Sequence, residues 1–207
     1  MNHGCFYSVI RVICMPFLKI LFPFHVNGKN NLPMDGRIII CCNHMSIVDP
    51  AFLVISQKRR ICFMAKSELF ENRFLSWFFS ALGAFPVHRG AGDSKAIIKS
   101  EHILEEGGAL GIFIEGTRSR DGELLRPRSG AAMIAYHSNA AVLPACISCK
   151  KGGMIRLFKR MVVSFGEPLT LEQLGLVNGT KAEVREATKM IMEKIKEMRQ
   201  RDTEVSV

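Results

Sequence analysis

Short apolar runs alternate along the chain with segments of helical periodicity, and this alternation predicts the secondary structure. Strands are predicted over residues 37–42, 60–65, 85–87, 109–114, 141–147 and 161–165. Helices are predicted from Pro50 onward, up to Gly83, over 94–106, over 131–138 and over the C-terminal segment. The C-terminal helix is the clearest, because Val184, Ala187, Ile191, Ile195 and Met198 recur at intervals of three and four. Strands that alternate with helices predict an α/β domain, in which functional side chains gather at the carboxyl ends of strands.

The N-terminal segment differs from the rest of the chain. Residues 4–24 are mainly apolar but include Arg11, Lys19 and a central Pro16. A membrane-spanning helix needs about 20 apolar residues with few charges, so this pattern favours a helix that lies in the membrane interface. The alternative is an ordinary first helix packed on the core. No small-residue cleavage site follows, which argues against a cleavable signal peptide. We therefore expect a membrane-associated helical segment over 1–26 and a globular domain over 27–207.

The balance of basic and acidic residues indicates which kind of molecule the protein binds. The 28 basic and 19 acidic residues among 207 give a net charge of +9, which favours an anionic partner. Residues 1–34 and 124–166 contain basic residues and no acidic ones, and large apolar side chains lie between those basic residues. Such mixing suits lipid headgroups better than a nucleic-acid groove, and no aromatic stacking motif for single strands is present.

The strongest candidate chemistry follows the strand predicted over 37–42. His44 is the natural general base near neutral pH, and a carboxylate on its other ring nitrogen would fix the tautomer. Asp49 can supply that carboxylate if the intervening turn folds back, since a spacing of five does not place the two on one helical face. Asp49 could instead act only as a helix N-cap before Pro50.

Two other strand ends carry basic side chains. Arg89 follows the strand at 85–87 and can offer a forked donor to phosphate. The segment from Glu115 to Arg120 offers backbone amides, hydroxyls and two guanidinium groups, which suit an anionic headgroup. Glu115 would either order Arg118 or bond a substrate hydroxyl. The sequence contains no P-loop, dinucleotide-binding or nucleophile-elbow motif, and the single Cys146-x-x-Cys149 pair predicts core packing rather than a metal site.

Taken together, these segments resemble the glycerolipid acyltransferases of the 1-acylglycerol-3-phosphate (lysophosphatidate) acyltransferase family. Asn43 to Asp49 matches the family's N-H-x-x-x-x-D block, and Phe85 to Gly90 matches its second block. Phe113 to Arg120 matches the E-G-T-R block, and Val142 to Ala145 matches a short hydrophobic-proline block. The order and spacing agree from about residue 27 through residue 165.

The resemblance implies an α/β domain with a mixed sheet and an N-terminal helical element seated in one membrane leaflet. It also implies acyl transfer from acyl-CoA or acyl-carrier protein to the hydroxyl of lysophosphatidate, giving phosphatidate for phospholipid synthesis. His44 would be the base and Asp49 its orienting partner; no resident cofactor or metal is implied. Substrate-binding roles are expected for Asn43, Lys66, Arg89, Glu115, Gly116, Thr117, Arg118, Ser119, Arg128 and Pro144.

Two alternatives remain at this stage. The acceptor could be glycerol-3-phosphate or another lysophospholipid, since the blocks are common to enzymes acting on all of them. The chain could also be a non-catalytic protein that binds anionic lipid, although intact His44 and Asp49 argue against it. The expected location is the cell membrane, peripheral or monotopic, with the active face on the cytoplasmic side, and the expected partners are lipids and the acyl donor rather than nucleic acid.

Overall fold

The computed structural model describes residues 12, 16, 18–81, 83–87, 94–149 and 153–204. The strands within these residues are β1 (Phe24–Asn27), β2 (Ile38–Cys42), β3 (Ile61–Lys66), β4 (Ala84–Val87), β5 (Ala109–Phe113), β6 (Ala141–Cys149) and β7 (Met161–Phe165). The helices are α1 (Asp49–Ser56), α2 (Arg73–Ala81), α3 (Ser94–Glu105), α4 (Gly130–His137) and α5 (Lys181–Glu204), with a 3-10 turn at Ser67–Phe70.

The strands form one mixed sheet in the order β1-β7-β6-β2-β5-β3-β4. Every neighbouring pair is parallel except β6 and β7, which are antiparallel. This arrangement confirms the predicted α/β fold with a mixed sheet flanked by helices. Thr180 caps the start of α5, because its hydroxyl accepts the Glu183 N–H at 3.2 Å.

Both faces of the central strands are buried, which explains why their sequences are uninterrupted apolar runs. Side chains alternate along β2: Ile38, Ile40 and Cys42 pack in the cluster that contains Phe52 of α1. Ile39 and Cys41 pack in the opposite cluster, which contains apolar residues of α3, α4 and α5. Helix α1 therefore lies on one face of the sheet, and α3, α4 and α5 lie on the other.

The register of β2 decides which loops meet. Cys42, the last residue of β2, pairs with Phe113 of β5 and with Ala145 of β6. Because these strands are parallel, their carboxyl ends lie at the same edge of the sheet. The residues just beyond Cys42 and Phe113 therefore emerge side by side.

Pro144 lies inside β6 and is buried, although proline cannot donate to a strand ladder. Ala145 pairs with Phe165, and Val142 pairs with Leu169. The two β6 residues are three positions apart, whereas their antiparallel partners are four positions apart. The ladder is thus irregular at this point, and Pro144 only accepts a hydrogen bond there, from the Gly166 N–H at 2.8 Å. The proline fits where an N–H is not needed.

The N-terminal region differs from the sequence-based expectation. Helical backbone is found at residues 18–21, but Phe24–Asn27 forms the edge strand β1, paired in parallel with β7. The expected boundary between residues 26 and 27 falls inside this strand. Its partner lies more than 130 residues along the chain, so no local turn or hairpin signal indicated it. Most of the N-terminal helix predicted over 4–24 lies outside the described residues. Within the part that the structure describes, no helix is both long and apolar enough to cross a membrane.

Three stacked rings connect the sheet to the candidate site. The Phe63 ring lies against the Cα of Gly111, where an added Cβ would stand 2.2 Å from a ring carbon. Phe63 in turn stacks on Phe113 with 6.0 Å between ring centroids, and Phe113 stacks on the ring of His44 at 3.9 Å. The absence of a side chain at Gly111 therefore sets the position of the rings beneath His44.

Replacing Gly111 by alanine should lower the free energy of unfolding by about 1–3 kcal/mol, because the buried Phe63 ring must move to admit the methyl group. Denaturant unfolding measures the change. Gly130→Ala is the matched control, since a Cβ at this helical position meets nothing within 4 Å. Equal stability of the two variants would contradict the packing argument.

Candidate active site

The structure brings His44 and Asp49 together as the sequence predicts. His44 Nδ1 lies 2.8 Å from Asp49 Oδ2, and both residues are buried, with 6% and 0% of their surface exposed. The same oxygen accepts the backbone N–H groups of Met45 at 2.6 Å and Ser46 at 2.7 Å. One carboxylate oxygen therefore folds the turn between β2 and α1 and orients the imidazole.

Asp49 does not cap α1 with its side chain, although it occupies the first turn of that helix. The N-cap residue is Val48, and no side-chain capping bond is present there. The carboxylate is committed to His44 and the turn. The sequence left open whether Asp49 is the partner of His44 or only a helix cap. In the structure it is the partner of His44.

Packing against Phe113 fixes the plane of the imidazole ring. The rings of His44 and Phe113 are nearly parallel, with 16° between their planes. Because the Asp49 carboxylate can only accept, Nδ1 carries the shared hydrogen, and Nε2 has no hydrogen-bond partner among the described residues. The imidazole is thus held with one basic nitrogen free to accept a proton.

Glu115 connects the loop after β5 to the backbone of His44. Its Oε1 accepts the His44 N–H and its Oε2 accepts the Leu125 N–H, both at 3.1 Å. The residue is buried, and burial raises the pKa of its carboxyl group above the ordinary value, while the two N–H donors act in the opposite direction. These contacts order the peptide of His44 rather than Arg118. A bond from Glu115 to a substrate hydroxyl stays a prediction.

Position 116 needs glycine for two reasons, its backbone conformation and the lack of room for a side chain. Its φ of +70° lies in the left-handed region, and a Cβ would stand 2.7 Å from Cδ of Arg128. The Arg128 side chain therefore lies across the Gly116 backbone. This contact places Arg128, Thr117 and Glu115 along one groove, which α5 completes.

Two predicted substrate-binding residues are engaged by the protein itself. Both groups of the buried Asn43 amide pair with the backbone of Ile147, each at 2.9 Å, which ties the end of β2 to β6. The buried Ser119 donates its N–H to the His44 carbonyl at 2.8 Å, and its hydroxyl lies in a turn with Asp121 and Gly122. In this structure, Asn43 and Ser119 position the backbone on either side of His44; a direct contact of either with substrate stays a prediction.

Two of the predicted phosphate-binding cations, Arg118 and Lys66, lie at the carboxyl ends of β5 and β3, which are neighbours in the sheet. Arg118 is exposed in the loop after β5. Lys66 ends β3 and pairs with Glu68 at 2.8 Å, both being about half exposed. Arg89 lies outside the described residues; β4 ends at Val87, which pairs with Lys66. Pro144, by contrast, is part of the sheet interior.

Some contacts of the site were not predicted from the motifs, although Phe113 itself opens the segment that matches the E-G-T-R block. Phe113 stacks on His44, and the backbones of Ile147 and Leu125 bond Asn43 and Glu115. Backbone partners leave no residue-type signal. Phe113 could be inferred from the strand register, which places it beside Cys42, two residues before His44.

The raised pKa of Glu115 predicts a specific pH dependence of stability. Between its ordinary and its raised pKa the folded chain binds the proton more tightly than the unfolded chain, so the free energy of unfolding falls as pH rises through that window. Glu115→Gln removes this slope. It also adds a pH-independent loss of about 1–3 kcal/mol, because the amide N–H₂ must face a backbone N–H.

Urea unfolding of both proteins across the acidic range measures the difference. The control is Glu172→Gln, which removes an exposed carboxylate. If that control alters the slope as much as Glu115→Gln does, burial of Glu115 is not the cause.

Comparisons with known proteins agree with this geometry. A family model described as Acyltransferase matches residues 23–148, which contain His44, Asp49 and the Glu115 loop. The 1-acyl-sn-glycerol-3-phosphate acyltransferase of Bacillus subtilis is 34% identical over 163 residues, covering 75% of this chain and 80% of the relative. The enzyme of the same name from Streptococcus pneumoniae is 27% identical over 180 residues, covering 84% of this chain and 66% of the relative.

A solved structure shares the fold. The 1-acyl-sn-glycerophosphate acyltransferase PlsC from Thermotoga maritima superposes with a TM-score of 0.72 at 23% identity, covering 94% of this chain and 77% of that one. The family match spans more than half of the chain and includes every strand from β1 through β5 and most of β6. The chain therefore belongs to the acyltransferase family, as the His44–Asp49 pair and the loop after β5 indicate.

Proposed function

We propose that this enzyme transfers a fatty acyl group from an acyl thioester to the hydroxyl of lysophosphatidate, giving phosphatidate. The observation that carries the proposal is the His44 imidazole, whose Nδ1 is fixed by Asp49 at 2.8 Å and whose Nε2 is left to accept a proton. Relatives at 34% and 27% identity bear the name of this activity. The acyl donor is acyl-CoA or acyl-carrier protein, which serves as co-substrate, and no resident cofactor is required.

In the proposed reaction His44 Nε2 takes the proton from the acceptor hydroxyl as its oxygen attacks the thioester carbonyl. The Asp49 carboxylate stabilises the imidazolium that forms and keeps the ring in place. Collapse of the tetrahedral intermediate breaks the carbon–sulfur bond, and the imidazolium returns the proton to the departing thiolate. The acyl group passes directly to the acceptor, so no acyl-enzyme is needed.

The acceptor phosphate must bind close to His44. In 1-acylglycerol 3-phosphate the free hydroxyl and the phosphate are on neighbouring carbon atoms, so the two groups cannot be far apart. Arg118 follows the strand that lies beside β2, and its exposed guanidinium suits a phosphate. We assign the acceptor phosphate to Arg118, with Arg89 and Lys66 as further candidates at the adjacent strand ends.

We also propose that the enzyme works at the cytoplasmic membrane surface. Phe74 and Trp77 of α2 are 69% and 47% exposed, which is unusual for adjacent aromatic side chains on a soluble surface. Leu157 and Phe158 are exposed in a loop that also contains Arg156, Lys159 and Arg160. Basic residues beside exposed apolar ones suit anionic lipid headgroups. The same loop bonds the N-terminal helical residues, since the Phe158 N–H donates to the Leu21 carbonyl at 2.7 Å.

An acceptor panel tests the specific assignment. Purified enzyme is given a radiolabelled acyl thioester, as CoA and as carrier-protein conjugate, with lysophosphatidate, glycerol-3-phosphate or lysophosphatidylcholine. We expect lysophosphatidate to be acylated with the highest kcat/KM. Turnover of another acceptor while lysophosphatidate is ignored would overturn the assignment but keep acyl transfer; no turnover of any acceptor would support a lipid-binding protein instead.

Substitutions at the His44–Asp49 pair test the mechanism. His44→Ala should lower kcat by several orders of magnitude, because it removes the base, while binding to anionic vesicles stays unchanged. Asp49→Asn should lower kcat by roughly three orders of magnitude or more, because the amide no longer holds the same tautomer.

The matched control for these variants is His102→Ala. This histidine is exposed on α3 and paired with Glu106 at 3.5 Å, so its loss should leave kcat and vesicle binding unchanged. Wild-type kcat in His44→Ala would refute its role as base. Loss of vesicle binding in that variant would show that the substitution acts through the fold.

A further inference from the structure

A half-open groove of about 1080 Å³ lies beside the candidate site, between the loop after β5 and the first turns of α5. Five cationic side chains line it: Arg126, Arg128, Lys181, Arg185 and Lys189. Three of them, Lys181, Arg185 and Lys189, follow each other at intervals of four and so form one stripe on α5. The acceptor-binding residues proposed above account for none of these three.

The cations of the groove are largely uncompensated. Within the described residues, Arg126, Arg128, Lys181 and Arg185 form no ion pair, and only Lys189 has an acidic partner, Glu186 at 2.7 Å. The one carboxylate in the lining is Glu115, whose two oxygens are occupied by backbone N–H groups. The groove therefore presents several exposed positive charges with which a bound anion could pair.

The floor of the groove is apolar. Leu125, Pro127, Met133 and Val184 lie between the basic side chains, and Met133 is exposed at 38%. An apolar floor with a basic rim suits a ligand that has a flat ring and several phosphates. Inorganic phosphate would contact only the basic rim and leave the apolar floor uncovered. A flat protein surface would not fill a concave groove.

The α5 side of the groove and the ring of His44 lie on different faces of the sheet. The His44 ring stacks on Phe113, which packs in the cluster on the α1 face of the sheet. The groove is lined by residues of α4 and α5, which cover the opposite face, and Glu115 lies between the two. An acceptor whose phosphate is on the carbon next to its hydroxyl needs only a short span between the base and its phosphate-binding cation. In acyl-CoA, by contrast, the whole pantetheine arm separates the thioester from the nucleotide phosphates.

We infer that this groove binds the nucleotide end of acyl-CoA, with the 3′-phosphate and the diphosphate on the basic rim and the adenine on the apolar floor. The inference rests on the proposed acyl-thioester chemistry and specifies its donor. Lys181 and Arg185 of α5 are the side chains that distinguish this donor site from the acceptor site.

The test uses the full-length enzyme and the double variant Lys181→Ala/Arg185→Ala. The matched control is Lys194→Ala/Lys196→Ala, which removes two charges from the same helix at half-exposed positions outside the groove. Calorimetry measures binding of adenosine 3′,5′-bisphosphate, which needs neither acceptor nor turnover. We expect the wild type and the control to bind it, and the groove variant to bind at least tenfold more weakly.

Kinetics give a second, independent readout. The groove variant should show a KM for acyl-CoA at least tenfold higher than the control, with the KM for lysophosphatidate unchanged. Equal bisphosphate binding by groove variant and control, or absence of binding to the wild type at millimolar concentration, would overturn the inference. So would a raised KM for acyl-carrier protein with an unchanged KM for acyl-CoA.

The calorimetric arm separates this inference from the proposed function. Lysophosphatidate turnover with no bisphosphate binding would refute the groove as a nucleotide-binding site and leave the acceptor assignment intact. Bisphosphate binding that depends on Lys181 and Arg185, without lysophosphatidate turnover, would support the groove and refute that assignment.

Discussion

The site depends on one oxygen atom, Oδ2 of Asp49, which accepts three N–H groups within a short turn. Two of these bonds fold the backbone after β2 into α1, and the third orients the imidazole of His44. The same interaction therefore builds the local fold and prepares the base. A charged acceptor is favoured for this purpose, since hydrogen bonds to carboxylates are stronger than neutral ones. The N–H donors also compensate for the burial of the charge.

A second buried carboxylate, that of Glu115, extends this order to the neighbouring strand. It joins the His44 backbone to the loop that carries Gly116, Arg118 and Arg128, so base and cations are parts of one connected structure. Burial makes its ionised form unfavourable, as the raised pKa indicates, and this acid stabilises the fold less at neutral pH than in acid. At neutral pH the carboxylate therefore aligns the two loops while it bears the free-energy cost of its own burial.

Much of the fold was predictable, because apolar runs of strand length alternate with helical periodicity. The strand at Met161–Phe165 has the predicted bounds, and others differ by a residue or two. The His44–Asp49 pair was recognisable from residue types.

The edge strand Phe24–Asn27 could not be predicted, because it is short and its partner strand is distant in sequence. The role of Asn43 was also hidden, since an amide that bonds a distant backbone looks the same in sequence as one that awaits a ligand. The basic stripe on α5 is visible as a spacing of four, but only the fold places it opposite the loop after β5.

The two exposed apolar regions lie at opposite ends of the sheet. Leu157 and Phe158 adjoin the helical residues that precede β1, the first strand of the sheet order, whereas Phe74 and Trp77 adjoin β4, the last. A body attached to a surface at a single point can rock about it; one attached at two separated points cannot tilt along the line that joins them. With both regions in the lipid, the β1 and β4 ends of the sheet would stay at the surface together, and only rotation about the line that joins them would change the depth of the carboxyl edge that carries His44.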